Sequence, residues 1–175
     1  LSLLHTVLQG GRISYWMGGW KPPWGIEYAI DYLNIFVMLI VSFMAFAGAL
    51  YARKNIDFEI NEGRKPFFYS VYLLFVTGLM GMVVTGDIFN IYVFLEITSI
   101  SGYVLIALGK KRQALVAGFN YLIMGTVGAT FFLLGIGYLY LMTGTLNIAD
   151  LAARLPELYG TKAVFTAFTF IVLGL

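Results

Sequence analysis

One carboxylate in this 175-residue chain stands where bilayer hydrocarbon is expected. Glu96 is the single charged residue in the otherwise uncharged run 88–108. It lies eight residues into that run, a rise of about 12 Å, which places it near mid-depth of a membrane. A charge there costs roughly 3 kcal/mol on insertion scales, so a carboxyl group at that depth faces other protein or a wet cavity rather than lipid. Burial disfavours the ionised form of a carboxyl group, which suits a group that gains and loses a proton near neutral pH. At helical spacing Tyr92, Glu96, Ser99 and Tyr103 fall at i−4, i, i+3 and i+7, so three hydroxyls share a face with the carboxyl group. Such a face can hold water or relay protons. The alternative is a protonated Glu96 hydrogen-bonded to a neighbouring helix.

The other polar residues offer less. Asp87 follows Gly86 where the Glu96 helix begins, and a carboxylate there caps free amides and complements the helix dipole. Asn120 lies six residues into the run 114–142, about 9 Å deep, where an amide bonds across helices or holds a water in a relay. Gly125, Gly128, Ala129 and Thr130 form a small-residue patch that permits close helix approach. His5, the single histidine, stands near the start of the chain and suits an interface better than a ligand role. Trp16, Trp20 and Trp24 read as interfacial anchors. With no cysteine the chain offers no disulfide, thiolate zinc site or iron–sulfur ligand. No Ser-His-Asp set, phosphate-cradling glycine loop, His-Glu-x-x-His or calcium loop occurs. Neither a metal nor a cofactor is expected in this chain, and no enzymatic step within it.

The elements that must position these residues follow from composition. Apolar residues make up 60%, charged residues 11%, and mean hydropathy is +0.85. Soluble domains run nearer about 45–50% apolar and about 25% charged. Eleven Lys and Arg against nine Asp and Glu leave a net charge of +2, too small and scattered for a nucleic-acid surface. Long uncharged runs account for the apolar excess, and about twenty such residues cross a bilayer. Five runs qualify or begin to: 32–51, 67–85, 88–108, 114–142 and 163–175. The expected fold is an all-α polytopic bundle, one membrane domain over residues 1–175, read as part of a longer protein.

Lys and Arg gather on the cytoplasmic side of membrane proteins. The loop 52–66 holds Arg53, Lys54, Arg64 and Lys65, and the loop 109–113 holds Lys110, Lys111 and Arg112; the other side has Arg12, Lys21, Arg154 and Lys162. Both loops are therefore expected in the cytoplasm of a cell-membrane protein. Outside, the turn-rich aromatic stretch 18–25 suggests a hairpin at headgroup level. The segment 146–159 sets Leu151, Leu155 and Leu158 at helical spacing, which predicts an amphipathic helix along the interface.

The stretch Thr85-Gly86-Asp87-Ile88-Phe89-Asn90-Ile91-Tyr92-Val93-Phe94-Leu95-Glu96-Ile97-Thr98-Ser99-Ile100-Ser101-Gly102-Tyr103 resembles the fifth membrane helix of the antiporter-like subunits of complex I, Mrp-type sodium/proton antiporters and membrane-bound hydrogenases. Gly19-Trp20-Lys21-Pro22-Pro23-Trp24-Gly25-Ile26, followed by Asp31, resembles that family's early outer hairpin. Thr143-Gly144-Thr145-Leu146-Asn147-Ile148-Ala149-Asp150-Leu151 resembles the link between its sixth and seventh helices. Of the three groups the chain looks most like the Mrp D-type subunit. The resemblance implies that Glu96 belongs to a proton pathway and pairs with a lysine of a broken seventh helix, whose lead-in residues 170–175 resemble. Many family members carry a basic residue where Asn120 stands, just before the aromatic position of Tyr121. The implied function is proton translocation within a multisubunit ion-pumping complex, with a non-transporting scaffold subunit as the alternative. The implied surroundings are the lipid bilayer, other membrane subunits and, in redox-driven members, iron–sulfur-containing soluble subunits. Protons are the implied cargo, with Na+ as a further candidate.

Overall fold

Uncharged backbone with no water to bond must bond within its own segment, and helices accomplish this. The computed structural model describes residues 2–175. Its elements are α1 (Ser2–Gly10), β1 (Ile13–Trp16), β2 (Glu27–Ile30), α2 (Tyr32–Glu59), α3 (Lys65–Val84), α4 (Ile88–Ala107), α5 (Arg112–Thr143), α6 (Ile148–Leu158) and α7 (Lys162–Gly174). Among the described residues, four helices are long and apolar enough to cross a membrane: α2, α3 with the turn before it, α4 and α5. Helix α7 is apolar but shorter, with 13 residues. The strands β1 and β2 pair antiparallel, from Ile13 opposite Ile30 to Trp16 opposite Glu27.

Side chains near the helix starts supply acceptors for the free amides. Asp31 accepts from the amides of Leu33 and Asn34, while Asn34 Oδ1 accepts from the Asp31 amide, a reciprocal cap for α2. Asn147 caps α6 by accepting from the amides of Ala149 and Asp150. Within the spans, hydroxyls bond to the carbonyl one turn back in their own helix, as Thr98 does to Phe94 and Ser101 to Ile97. Those groups are satisfied without a partner helix.

The stretch 52–66 differs from the expected loop. Helix α2 continues through Arg53 and Lys54 to Glu59, and a short 3-10 turn, Glu62–Arg64, leads directly into α3. Charge ends an apolar span but does not end a helix. The extra two turns and the residue after them bury Ile56 and Ile60 against Leu108, and the amide of Lys110 donates to the Glu59 carbonyl at 3.0 Å.

The chain forms two compact units. One contains the residues up to Ile35, Val84–Val93 and Thr126–Leu175; the other contains Phe36–Val83 and Phe94–Gly125. In the first, Leu139, Leu151 and Ala167 form a core joined by Ile88, Leu155 and Ile171. The amphipathic pattern of α6 thus has its apolar stripe covered and leaves Arg154 and Glu157 exposed. Helix α7 packs backbone to backbone on α5: a Cβ at Gly128 would lie 2.9 Å from the Gly174 carbonyl oxygen, and one at Gly174 would lie 2.5 Å from the Phe132 nitrogen. In the second unit, α3 meets α4 across Gly78, where a Cβ would lie 3.0 Å from the Thr98 nitrogen. The Tyr72 hydroxyl donates to the Ala45 carbonyl of α2 at 2.6 Å.

Candidate functional site

Helix α4 carries Glu96 with different neighbours on its opposite faces. Phe94 and Thr98 face α3 at Gly81 and Gly78. Glu96 is about half a helical turn away from them, on the stripe of Tyr103 and Ala107. That stripe meets α5: Ala107 and the Tyr103 carbonyl crowd Gly118, the Tyr103 hydroxyl lies over Gly125, and the Tyr103 and Tyr121 rings stand 5.7 Å apart. Four residues before Glu96, Tyr92 stacks on Phe132, also of α5, at 6.3 Å.

Glu96, Ser99 and Tyr103 are all partly buried. Among the described residues neither a hydrogen-bond donor nor a cation reaches the Glu96 carboxylate. Asn120 precedes the ring that meets Tyr103, yet is itself exposed beside Gln113, Val116 and Ala117. The structure thus unites Tyr103 with the neighbourhood of Asn120 without bringing the amide to the carboxylate's stripe. His5 is exposed on α1, and Trp16, Trp20 and Trp24 are exposed around the hairpin. Lys21 Nζ lies 5.0 Å from the centre of the Trp16 ring. No group of three or more acidic, histidine or cysteine side chains able to hold a metal occurs among the described residues.

A second carboxylate is buried outside the spans, and sequence reasoning passed over it. Glu27, only 8% exposed, accepts from Arg12 at 3.2 Å, from the Ser14 hydroxyl and from the Asn147 side-chain amide at 2.9 Å. Its backbone carbonyl accepts from the Gly86 amide at 2.8 Å. The segment 85–87 is held on both sides, with Thr85 bridged to Tyr28 and Asp87 to Asn147. A Cβ at Gly86 would come within 3.3 Å of the Glu27 carbonyl oxygen, so a side chain there would press on this contact. Burial disfavours the Glu27 charge more than any single partner favours it. The bonds from Ser14 and Asn147 and the Arg12 charge together outweigh it and hold the carboxyl below its ordinary value. Nearby, Asp87 caps α4 by accepting from the Asn90 amide at 2.8 Å. Burial there prevails over the backbone bonds from Asn90 and Phe89 and pushes its carboxyl up.

A weak signal for Glu27 does exist in the chain. It is the one charged residue among Ile26-Glu27-Tyr28-Ala29-Ile30, a short apolar stretch between turn residues and a helix cap. Its partners Ser14, Gly86 and Asn147 are far away in sequence, so only the fold shows that it is compensated.

Helices of this length and apolarity, linked by short turns and accompanied by the β1–β2 hairpin and α6, define a subunit of a multi-pass membrane protein. The family follows from comparison. Residues 85–175 match the family described as "NADH:quinone oxidoreductase/Mrp antiporter, TM", and the chain belongs to it. It is 47% identical over its whole length to NADH-quinone oxidoreductase subunit N of Desulforudis audaxviator, of which it covers 34%. It is 34% identical to the D-type subunit of the Na(+)/H(+) antiporter of Bacillus subtilis, over 89% of this chain and 31% of that protein. Among solved structures it resembles a chain of the membrane-bound sulfane sulfur reductase, an archaeal respiratory membrane complex. There the TM-score is 0.83 and the identity 37%, over 98% of this chain and 34% of the other. A chain of the Mrp complex from Dietzia sp. shares the fold, with a TM-score of 0.82 at 24% identity over 99% of this chain and 32% of that one. The chain spans about one third of the length of the curated relatives it matches. Glu96, Asp87 and Asn147 lie within the family match, whereas Glu27 lies before it.

Proposed function

We propose that this chain conducts protons as part of an antiporter-like subunit in a multisubunit ion-translocating complex of the cell membrane. The observation that supports this most is Glu96, a carboxylate in the interior of a membrane-length apolar helix, on the stripe that meets α5. A group so placed is ionised only when a cation or several donors compensate it. A lysine in the segment that follows Leu175 would fill that role, as the family resemblance implies. At about 4 Å the pair would attract by roughly 4 kcal/mol at an effective dielectric of 20. While the two are together both stay charged; when they separate, the carboxylate takes up a proton and the lysine releases one. Alternate pairing and separation then moves protons stepwise, with Tyr92, Ser99 and Tyr103 offering hydroxyls beside the carboxyl group. Asn120, exposed beside Gln113 and off the Glu96 stripe, takes no direct part in this path. No electron or hydride transfer takes place in this chain.

The decisive experiment replaces Glu96 by Gln in the full-length protein within its complex, which keeps the shape and removes the titration. Lost proton transport with intact assembly supports conduction. Normal transport would overturn it, and lost assembly with residual transport would favour a scaffold. The seven basic residues in and around the α2–α3 and α4–α5 connections, from the last turns of α2 to Lys65 and from Lys110 to Arg112, support a cytoplasmic placement of those turns. A cysteine introduced at Asn61 should then be labelled only from the cytoplasm and one at Gly160 only from outside; the reverse pattern would invert the orientation. Copurification of cysteine-rich soluble subunits would assign a redox drive, and small membrane subunits alone a secondary antiporter.

A further inference from the structure

We infer that Glu27 is a positioning residue for the membrane carboxylate: by binding the α3–α4 turn and the α6 cap at once, it sets the register and rotation of α4 and so the placement of Glu96. This rests on the proton-conducting reading of Glu96 and concerns how that group is held. The segment 85–87 lies between β2 on one side and the start of α6 on the other, through the Tyr28–Thr85 and Asp87–Asn147 bridges. Glu27 joins both sides. Its backbone oxygen takes the Gly86 amide, while its side chain takes the amide of Asn147, whose own oxygen caps α6. Two more bonds complete the grip, since Ile88 N donates to the Leu146 carbonyl and Ile148 N to that of Gly86, each at 2.9 Å. Helix α4 therefore starts from a point fixed to two separate segments, β2 and the start of α6. A helix is stiff over the eight residues, about 12 Å, that separate its start from Glu96. Rotating that start by one residue would turn every side chain of α4, Glu96 included, by about 100° about the helix axis.

The charges around Glu27 suit a fixed anion rather than a transported proton. Arg12 faces it from the segment before β1, Ser14 from β1 and Asn147 from the α6 cap. Asp87 is occupied by the α4 amide of Asn90. Asp150 is contacted by the Thr145 hydroxyl at 3.3 Å, and Arg154 bonds the Thr143 carbonyl at 2.7 Å.

The test uses the full-length protein in its complex, with two readouts: proton transport, and the pH midpoint of the Glu96 carboxyl band, identified in infrared difference spectra by its loss in Glu96→Gln. Glu27→Gln places an amide donor against the donors of Asn147 and Arg12. It should slow transport about threefold to tenfold and move the Glu96 midpoint by about half a pH unit or more. The double variant Glu27→Gln with Asn147→Asp restores a carboxylate–amide pair in exchanged positions and should return the midpoint to its original value. An unmoved midpoint in Glu27→Gln would overturn the proposal, even if the protein were less stable. Should the single variant fail to assemble, the double variant decides: recovered assembly with the original midpoint supports positioning, and no recovery overturns it. Normal transport by Glu96→Gln would instead refute the conduction reading, while the midpoint measurement would still judge Glu27.

Discussion

Two glutamates in this chain occupy buried or partly buried positions and are treated in opposite ways. Glu27 is surrounded by donors from three segments and held as an anion. Glu96 has, among the described residues, no donor or cation at its carboxylate, while the hydroxyls of Thr98 and Ser101, on other faces of α4, are committed to their own helix. A buried charge that is fully compensated contributes to architecture, because its removal strands the groups that served it. One that lacks compensation is free to respond to whatever approaches it. The same residue type thus serves as a fastening in one region and, in the conduction we propose for Glu96, as a switch in the other.

The sharpest way to break this contrast is to neutralise each carboxylate in turn. Glu96→Gln should reduce transport by about 100-fold or more, in the range of a lost proton-transfer group, yet alter stability by less than about 0.5 kcal/mol. Glu27→Ala should do the reverse in kind, destabilising the unit around the hairpin by roughly 1–3 kcal/mol because Asn147 and Ser14 lose their acceptor. Unfolding in denaturant followed by tryptophan fluorescence measures the second effect, and proton uptake into vesicles the first. Equal stability losses for both would erase the distinction.

Glycines extend the comparison to packing. At Gly174 an added methyl group would press on the backbone of α5, which cannot give way, so Gly174→Ala should cost about 1–3 kcal/mol. At Gly125 the obstacle is the hydroxyl end of Tyr103, which can swing aside, and Gly125→Ala should cost less than about 1 kcal/mol. Thermal melting of the two variants in the same detergent orders them.

Acid should act on the hairpin in two stages. Asp87 has its carboxyl raised by burial, so its penalty is present at neutral pH and is relieved as pH falls through its folded value. Glu27 is held low, so its stabilisation is present above the unfolded carboxyl range and is lost as pH falls through its lower folded value. The start of α4 should therefore tighten slightly before the hairpin loosens. Fluorescence of Trp16, which pairs with Glu27 across the ladder, follows this in a chain with Trp20 and Trp24 replaced by Phe. Glu27→Gln should abolish the loosening. The smallest effect belongs to Lys110→Ala, which removes one exposed bond to the Asp57 carbonyl and should change stability by less than about 0.5 kcal/mol.

Much of the fold is legible in the sequence because membrane spans are local. Helices α3, α4 and α5 lie within a few residues of the uncharged runs 67–85, 88–108 and 114–142, since backbone bonding in hydrocarbon must be closed within each segment. The stripe of α6 was readable for a similar reason, its leucines falling at helical spacing. The end of α2 was not, because its last two turns are charged and are held by Leu108 and Lys110, residues some fifty positions away.

Composition and the 3.6-residue period were enough to show that the chain is a bundle of membrane-length helices, which run carries a charge at mid-depth, and which hydroxyls share its helical face. These are local properties and need no partner. It took the packed fold to establish that the Glu96 stripe meets α5 and not α3, that Asn120 stays outside it, and that Glu27 holds the turn where α4 begins. Each of those depends on contacts between distant segments, and a buried charge is compensated or left open only by what the fold brings to it.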